Sequence, residues 1–144
     1  MRAAWDHLPA ERQPPLLGLT VQHSLAYSRK ISASPELDAT EQAAFPPIIQ
    51  PLVCVHPNSG RRNLWLGMHA ERIMEMPDEA GRALLDELTA HAVAPRFVYA
   101  HIWRAGDVVM WDNRTCMHRA TPFDETQHVR EMRRTTVAEE APAG

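Results

Sequence analysis

The sequence has few cysteines, no long apolar run and no marked excess of one charge. Its two cysteines, Cys54 and Cys116, lie far apart and form no CxxC pair. This favours free thiols in a reducing compartment over a disulfide framework. No stretch approaches the roughly 20 apolar residues that span a bilayer, and polar residues occupy the position of a signal-peptide apolar segment. We therefore expect a cytoplasmic protein without a membrane partner.

The charge balance gives no reason to expect nucleic acid as a partner. Fifteen Lys and Arg stand against 18 Asp and Glu, a net charge of −3 with neutral histidines. The length of 144 residues is enough for one domain with a hydrophobic core. No internal repeat or low-complexity tract is present. Composition alone therefore predicts an ordinary globular domain.

Residues 1–47 carry few regular patterns and are expected to form short helices and loops. One or two short helices are predicted within Met1–Arg29, with a break at Pro14-Pro15. A further turn of helix is predicted at Thr40–Ala44, within a surface loop that Pro46-Pro47 closes.

From Ile48 onward the patterns become sharper. Leu52–Val55 and Asn63–Leu66 are short β-prone runs on either side of a turn-rich connection, which predicts a hairpin. Pro77, followed by two acidic residues, marks the start of a helix. Apolar residues then recur at helical spacing until Pro95 ends the helix.

Three more strands are predicted after this helix. Phe97–Trp103 alternates in a two-residue period, Val108–Trp111 follows a turn at Ala105–Asp107, and Val129–Val137 is rich in arginine and threonine. Strands with one inserted helix and no βαβ alternation predict a mainly β fold of antiparallel sandwich or barrel type.

Eight histidines raise the question of a metal site. Most lack a partner at ligand spacing and are interpreted as structural: surface or loop residues His7, His23 and His91, a hydrogen-bonding loop residue His56, and a packed strand residue His101. His69 with Glu71 forms a His-x-Glu pair, a two-ligand pattern for non-haem iron, but nothing nearby marks a site.

His118 differs because it follows a polar bend that leaves an apolar strand, and Arg130 and Arg134 come after it. In a strand, these two arginines point to one face. Two inward-facing guanidinium groups would be unfavourable unless they met anions, and bound carboxylates would explain them. A solvated sheet edge explains them equally well, and spacing alone leaves both interpretations open.

The run Trp111-Asp112-Asn113-Arg114, His118 and the stretch 130–137, Arg-Glu-Met-Arg-Arg-Thr-Thr-Val, resembles the C-terminal signature of the TauD/TfdA family of dioxygenases. Upstream, His56-Pro57-Asn58-Ser59-Gly60-Arg61 and the opening Met1–Asp6 resemble chlorophenoxyacetate-type members. The resemblance covers nearly the whole chain.

The resemblance implies a double-stranded β-helix, or jelly roll, that holds Fe(II) with two histidines and one carboxylate and uses 2-oxoglutarate as cosubstrate. His118 corresponds to the distal histidine ligand, and Arg130 to the arginine that pairs with the far carboxylate of 2-oxoglutarate. Arg134 corresponds to a second arginine, beside the substrate's anionic group or the cosubstrate. The implied partners are a small anionic organic substrate and oxygen, with a homo-oligomer left open.

One departure from the family pattern is decisive. The family's first histidine and its carboxylate come from a His-x-Asp motif, and no histidine here has aspartate two residues later. We therefore expect 1–144 to be the C-terminal part of one such domain, a partial jelly roll with its N-terminal strands missing. Within it, 1–47 would be a helical and loop insertion region, 48–137 the β-helix strands with one helix, and 138–144 a tail.

Two function hypotheses follow. The chain is a dioxygenase for an alkyl sulfonate or aryloxyalkanoate that is inactive without the missing part. Alternatively, it is a non-catalytic remnant that acts as a carboxylate-binding or interaction module.

Overall fold

The computed structural model describes residues 1–137, and its regular elements all lie before residue 98. Four α-helices and five short strands alternate with 3₁₀ turns along this part of the chain. The helices are α1 (Arg2–Asp6), α2 (Leu25–Ile31), α3 (Ala39–Ala44) and α4 (Asp78–Ala92). The strands are β1 (Thr20–His23), β2 (Ile48–Pro51), β3 (Val53–Val55), β4 (Arg62–Leu64) and β5 (Ala70–Ile73). The tail predicted at 138–144 lies outside the described residues.

Two antiparallel sheets organise these strands. The first has three strands in the order β2-β1-β5, and the second is the β3–β4 hairpin. Leu52 joins the two sheets, because its N–H donates to the Leu19 carbonyl at 2.9 Å and its carbonyl accepts from Trp65 N–H at 2.7 Å. The predicted hairpin is confirmed, whereas β1, β2 and β5 were not predicted.

Helix α4 is the longest element and follows its prediction closely. Pro77 precedes its first residue, and Asp78 and Glu79 place negative charge in the first turn, where the helix dipole favours it. Leu85 and Leu88 are fully buried on the face that meets β5. The helix ends before Pro95, as its sequence requires.

The N-terminal region contains the expected short helices. Its two adjacent prolines form a 3₁₀ turn, Pro14–Leu16, and the predicted turn of helix at 40–44 is α3. Asp38 and Glu41 close a capping box on α3, in which each side chain accepts the other's backbone N–H.

The core lies between the sheets, α1 and α4. Trp5 and Ala4 of α1 are buried against β4 and α4, together with Val21, Leu64 and Ile73 from the strands. His91, which was predicted to be a surface residue, is only partly exposed and donates from Nε2 to the Ala4 carbonyl at 2.8 Å. This bond connects the C-terminal end of α4 to α1.

The three strands predicted after α4 are wrong in this structure. Residues 95–97 form a 3₁₀ turn, and none of Val98–Trp103, Val108–Trp111 and Val129–Val137 is a strand. A strand is stable only beside a partner that accepts and donates its backbone hydrogen bonds. Within residues 1–137 no such partner lies alongside these segments, although the turn around Gly106, at φ +90°, is formed as predicted.

The described residues therefore form a small core of helices and antiparallel sheets, followed by a segment, residues 98–137, without helices or strands. A partial jelly roll is not visible in this arrangement, so the closed β-helix stays a prediction, as does the division at residue 47. No helix within residues 1–137 is long and apolar enough to span a bilayer.

Candidate functional site

The segment that leads to His118 is anchored by Asp112. The Asp112 carboxylate accepts from Arg114 through the backbone N–H at 2.9 Å and the guanidinium Nη2 at 2.9 Å. Its backbone carbonyl accepts from Thr115 and Cys116, both at 3.0 Å, which closes the turn. Hydrogen bonds from the Arg114 side chain, followed by that from its backbone, hold the pKa of Asp112 well below its usual range.

The β3–β4 hairpin holds this turn from the other side. His56 is buried, and its Nε2 donates to Asp112 Oδ2 at 2.9 Å while Nδ1 accepts from Ser59 N–H at 3.3 Å. Ser59 Oγ also lies 3.1 Å from Nδ1, so both ring nitrogens of His56 make hydrogen bonds. Asn63 of β4 adds a bond from its amide nitrogen to the Arg114 carbonyl at 2.8 Å. The prediction that His56 is a hydrogen-bonding loop residue is confirmed.

We call His56, Asn63, Asp112 and Arg114 the clamp. Its residue types were visible in the sequence, but their contact was not, because 56 residues separate His56 from Asp112. A surface pocket of about 320 Å³ lies beside the clamp and is also lined by Cys54. Burial raises the pKa of the Cys54 thiol, which disfavours the reactive thiolate.

His118 follows the clamp by four residues and is exposed. Its ring lies 4.7 Å from the ring of Trp111, with an angle of 48° between the planes. The clamp therefore fixes the backbone that leads to His118, and Trp111 orients its ring. The imidazole remains open to a ligand.

The two arginines lie farther along the same segment and are also exposed. The guanidinium carbon of Arg130 lies 5.5 Å from the ring centre of Phe123, and its Nη1 donates to the Thr121 carbonyl at 3.5 Å. Arg134 is exposed as well. Their spacing left two interpretations open, and within residues 1–137 both arginines are exposed to solvent.

The described residues alone do not fit an iron centre. No group of three or more His, Cys, Asp or Glu side chains within residues 1–137 could hold a metal ion. The weaker candidate, His69 with Glu71, does not assemble a site either, because Glu71 accepts from the Gln22 side chain at 2.8 Å. His118 is exposed and belongs to no such group among these residues.

The sequence did not predict that His23 and His69 lie side by side. His23, which was predicted to lie on the surface, is 4% exposed at the end of β1, and its ring centre is 4.9 Å from that of His69. Neither ring nitrogen of His23 has a hydrogen-bond partner among the described residues. Burial, and then the positive charge of a protonated His69, lowers the pKa of His23 to about 4. Burial also lowers the pKa of His69.

Residues 1–136 match the family model described as "Taurine catabolism dioxygenase TauD, TfdA family". The chain is 45% identical to the alpha-ketoglutarate-dependent 2,4-dichlorophenoxyacetate dioxygenase of Burkholderia sp. (strain RASC), over 94% of this chain and 46% of that protein. It is 37% identical to an (S)-phenoxypropionate/alpha-ketoglutarate-dioxygenase of Sphingobium herbicidovorans, over 88% of this chain and 46% of that protein. The chain spans about half the length of the curated relatives it matches.

Solved structures give the same result. The crystal structure of AAD-2 in complex with Mn(II) and N-oxalylglycine matches with a TM-score of 0.81 and 43% identity, over 88% of this chain and 50% of that one. A taurine dioxygenase from Burkholderia xenovorans matches with a TM-score of 0.65 and 28% identity, over 79% of this chain and 35% of that one.

Proposed function

Because the chain belongs to the TauD/TfdA family, we propose that it is the C-terminal part of an Fe(II)- and 2-oxoglutarate-dependent dioxygenase. Its substrate would be a small anionic organic molecule, such as an aryloxyalkanoate or an alkyl sulfonate, which is oxidised with oxygen. The observation that carries the proposal is the family match over residues 1–136, in which an exposed His118 follows the hydrogen-bonded clamp. Iron, when bound, supplies the oxygen chemistry.

Each proposed site residue has a role that its chemistry suits. His118 would donate one imidazole nitrogen to the iron. Arg130 would bind the far carboxylate of 2-oxoglutarate, since a guanidinium group offers two parallel N–H donors to a carboxylate. Arg134 would meet the substrate's anionic group or the cosubstrate carboxylate. The exposure of all three supports this, because none is already committed to an acidic partner within residues 1–137.

The clamp would contribute by positioning. Asp112 holds the backbone four to six residues before His118, and its charge is balanced by Arg114 rather than by a ligand. A fixed backbone at this point lowers the entropy lost when His118 binds a metal.

The 144-residue chain by itself should be inactive. One histidine leaves the iron with two of its three protein ligands missing, so we expect no succinate above background from Fe(II) and 2-oxoglutarate. Robust turnover by the chain alone would contradict this. We further propose a cytoplasmic enzyme, homo-oligomeric when whole, that binds neither nucleic acid nor membrane.

A chimera tests the catalytic proposal. The part of the Burkholderia sp. (strain RASC) enzyme that precedes the matched region would be fused to this chain and supplied with Fe(II), 2-oxoglutarate and a panel of aryloxyalkanoates and alkyl sulfonates. We expect substrate-dependent succinate that His118→Ala abolishes and that Arg130→Ala loses through a higher KM for 2-oxoglutarate. His128→Ala, in the same exposed segment, is the matched control and should retain activity. A folded chimera without succinate formation on any of these substrates would refute the proposal.

The second candidate function is a carboxylate-binding module, and the two exposed arginines favour it for the chain alone. Titration of the chain with 2-oxoglutarate, without iron, distinguishes the two. Binding that is lost in Arg130→Ala and occurs alongside an inactive chimera would favour the module.

A further inference from the structure

His23 and His69 place two imidazole rings side by side at the end of the three-stranded sheet. Their ring centres are 4.9 Å apart, and the ring planes are inclined at 51°. His23 is buried, and neither of its ring nitrogens has a hydrogen-bond partner within residues 1–137. Because a buried polar group without a partner is unfavourable, these nitrogens indicate a ligand or an ordered water at this position.

An irregularity in the sheet brings the two rings together. The register between β1 and β5 shifts between Gln22 and His23, so that His23 lies opposite Ala70. Such a bulge changes the direction of the side chain that it carries. The next residue, Ser24, donates its N–H to the His69 carbonyl at 2.8 Å, which fixes the backbone of His69 beside β1. The backbone of both strands therefore holds the two histidines next to each other.

Gly67 provides the space for the His69 ring. A β-carbon at Gly67 would lie 2.8 Å from Cε1 of His69 and 3.3 Å from each of its ring nitrogens. Any larger residue would displace the ring, because these distances are shorter than ordinary van der Waals contact. His69 itself is exposed, so an ion from solvent reaches the pair on this side.

The distance between the rings suits one metal ion shared by both. Zinc–nitrogen bonds of about 2.1 Å place the ion about 3.2 Å from the centre of each imidazole ring. Two ring centres 4.9 Å apart then subtend an angle of about 100° at the ion, close to the tetrahedral angle. Burial lowers the pKa of both histidines, so both rings are neutral at pH 7, which is the form that binds a metal.

The ligand chemistry decides which class of ion fits. Imidazole nitrogens suit zinc and copper, whereas magnesium and calcium require oxygen ligands. Glu71, the carboxylate two residues after His69, already accepts from the Gln22 side chain at 2.8 Å. An ordered water would satisfy the nitrogens of His23 alone, whereas a shared ion accounts for both rings.

We propose that His23 and His69 together bind a divalent transition-metal ion of the zinc class, which ties the end of β1 to β5. The remaining coordination positions would be taken by water. The pair includes none of the residues to which the proposed function gives a role, so this proposal does not rest on it. An ion that binds only the folded chain also stabilises that chain against unfolding.

A zinc titration tests the site directly. The purified chain would be stripped of metal with a chelator, dialysed and titrated with zinc chloride at pH 7.5, without 2-oxoglutarate. Nuclear magnetic resonance would follow the histidine ring signals, and calorimetry would measure the dissociation constant. We expect the ring signals of His23 and His69 to shift together with one midpoint, and magnesium chloride to shift neither.

Matched variants make the test specific. His23→Phe and His69→Phe should each weaken this zinc binding by at least roughly tenfold, since each removes one of two protein ligands. Gly67→Ala should weaken it as well, because the added methyl group displaces the His69 ring. His128→Phe, at an exposed position, is the control and should leave the dissociation constant unchanged.

Urea titrations give a second measurement of the same site. Saturating zinc should raise the urea midpoint of the wild type and leave that of His23→Phe unchanged. Three outcomes would overturn the proposal: zinc shifts the ring signal of His69 without that of His23, His23→Phe binds zinc as tightly as the wild type, or zinc leaves the wild-type midpoint unchanged. Turnover is not measured in any of these experiments, so their results are separate from those of the chimera.

Discussion

Replacement of His23 by phenylalanine should make the folded chain less sensitive to acid. The ring stays and fills the same place at the end of β1, while the titrating nitrogens are removed. In the folded state the pKa of His23 is lowered to about 4 from 6.5, because burial disfavours the charged ring. In the unfolded chain the ring titrates near its ordinary value.

The number of protons bound by the folded and unfolded chains decides whether the free energy of unfolding rises or falls with pH. Above pH 6.5 the ring is neutral in both, so His23 contributes no pH dependence. Between pH 6.5 and about 4 the unfolded chain binds a proton that the folded chain does not, and stability falls as the pH falls. At about 1.4 kcal/mol for each unit, His23 alone removes about 2 kcal/mol between pH 7.5 and 5. His69, whose pKa burial also lowers, adds to the loss.

Urea denaturation followed by tryptophan fluorescence measures this, because Trp5 is buried in the core. The wild-type free energy of unfolding should fall by about 2 kcal/mol or more from pH 7.5 to 5, and His23→Phe should remove about 2 kcal/mol of that fall. At pH 7.5 the variant should be as stable as the wild type or more stable, since two buried nitrogens without partners are removed.

The control is His128→Phe at an exposed position, which should leave the fall in stability between pH 7.5 and 5 unchanged. Equal slopes for His23→Phe and wild type would refute the reasoning. A nuclear magnetic resonance titration of His23 with a midpoint near 6.5 in the folded chain would refute it independently.

Three further changes probe the clamp, the core and the hairpin. Asp112→Ala should speed amide exchange at Arg114 roughly tenfold, because the carboxylate that accepts the Arg114 N–H is lost. The control Asp124→Ala should leave exchange at Arg114 unchanged. Exchange at Arg114 that stays as slow in Asp112→Ala as in the wild type would contradict the clamp. Leu85→Ala should lower the free energy of unfolding by about 2–5 kcal/mol in urea titrations, since the side chain is fully buried; a loss below 1 kcal/mol would contradict its place in the core. Gly60→Ala should lower it by about 1 kcal/mol, because φ is +65° there and no neighbour obstructs a methyl group; an unchanged midpoint would show that the turn relaxes.

Local patterns predicted the elements that depend on neighbours in sequence. Helix α4 follows from its start at Pro77 and its leucine spacing, and the β3–β4 hairpin from two β-prone runs around a turn. Both need only residues that are close along the chain, so a window of the sequence contains their cause.

The strands were predicted less well because their partners are distant in sequence. Thr20–His23 is only four residues long and carries too little alternation to be recognised, yet it becomes the central strand once β2 and β5 pair with it. In contrast, the alternation after Phe97 is clear, but no neighbouring strand lies beside it within the described residues. The alternation of side chains indicates that a segment favours a strand, but it forms one only when another strand pairs with it.

The candidate site also contains residues that a sequence motif identifies and contacts that only the structure shows. The family resemblance supplied His118, Arg130 and Arg134, and their roles remain proposals. The clamp and the burial of His23 depend on contacts across about 50 residues, which no single motif contains.

The bond between His91 and the carbonyl of Ala4 also has a consequence for the order of events during synthesis. Eighty-seven residues separate its two ends. At translation rates of about 5–20 residues per second, helix α1 waits roughly 4–17 s for the end of α4 to be made. Strand β4, which also contacts α1, is made earlier, so Trp5 gains its packing partners in two stages and its set is complete only when α4 has been made.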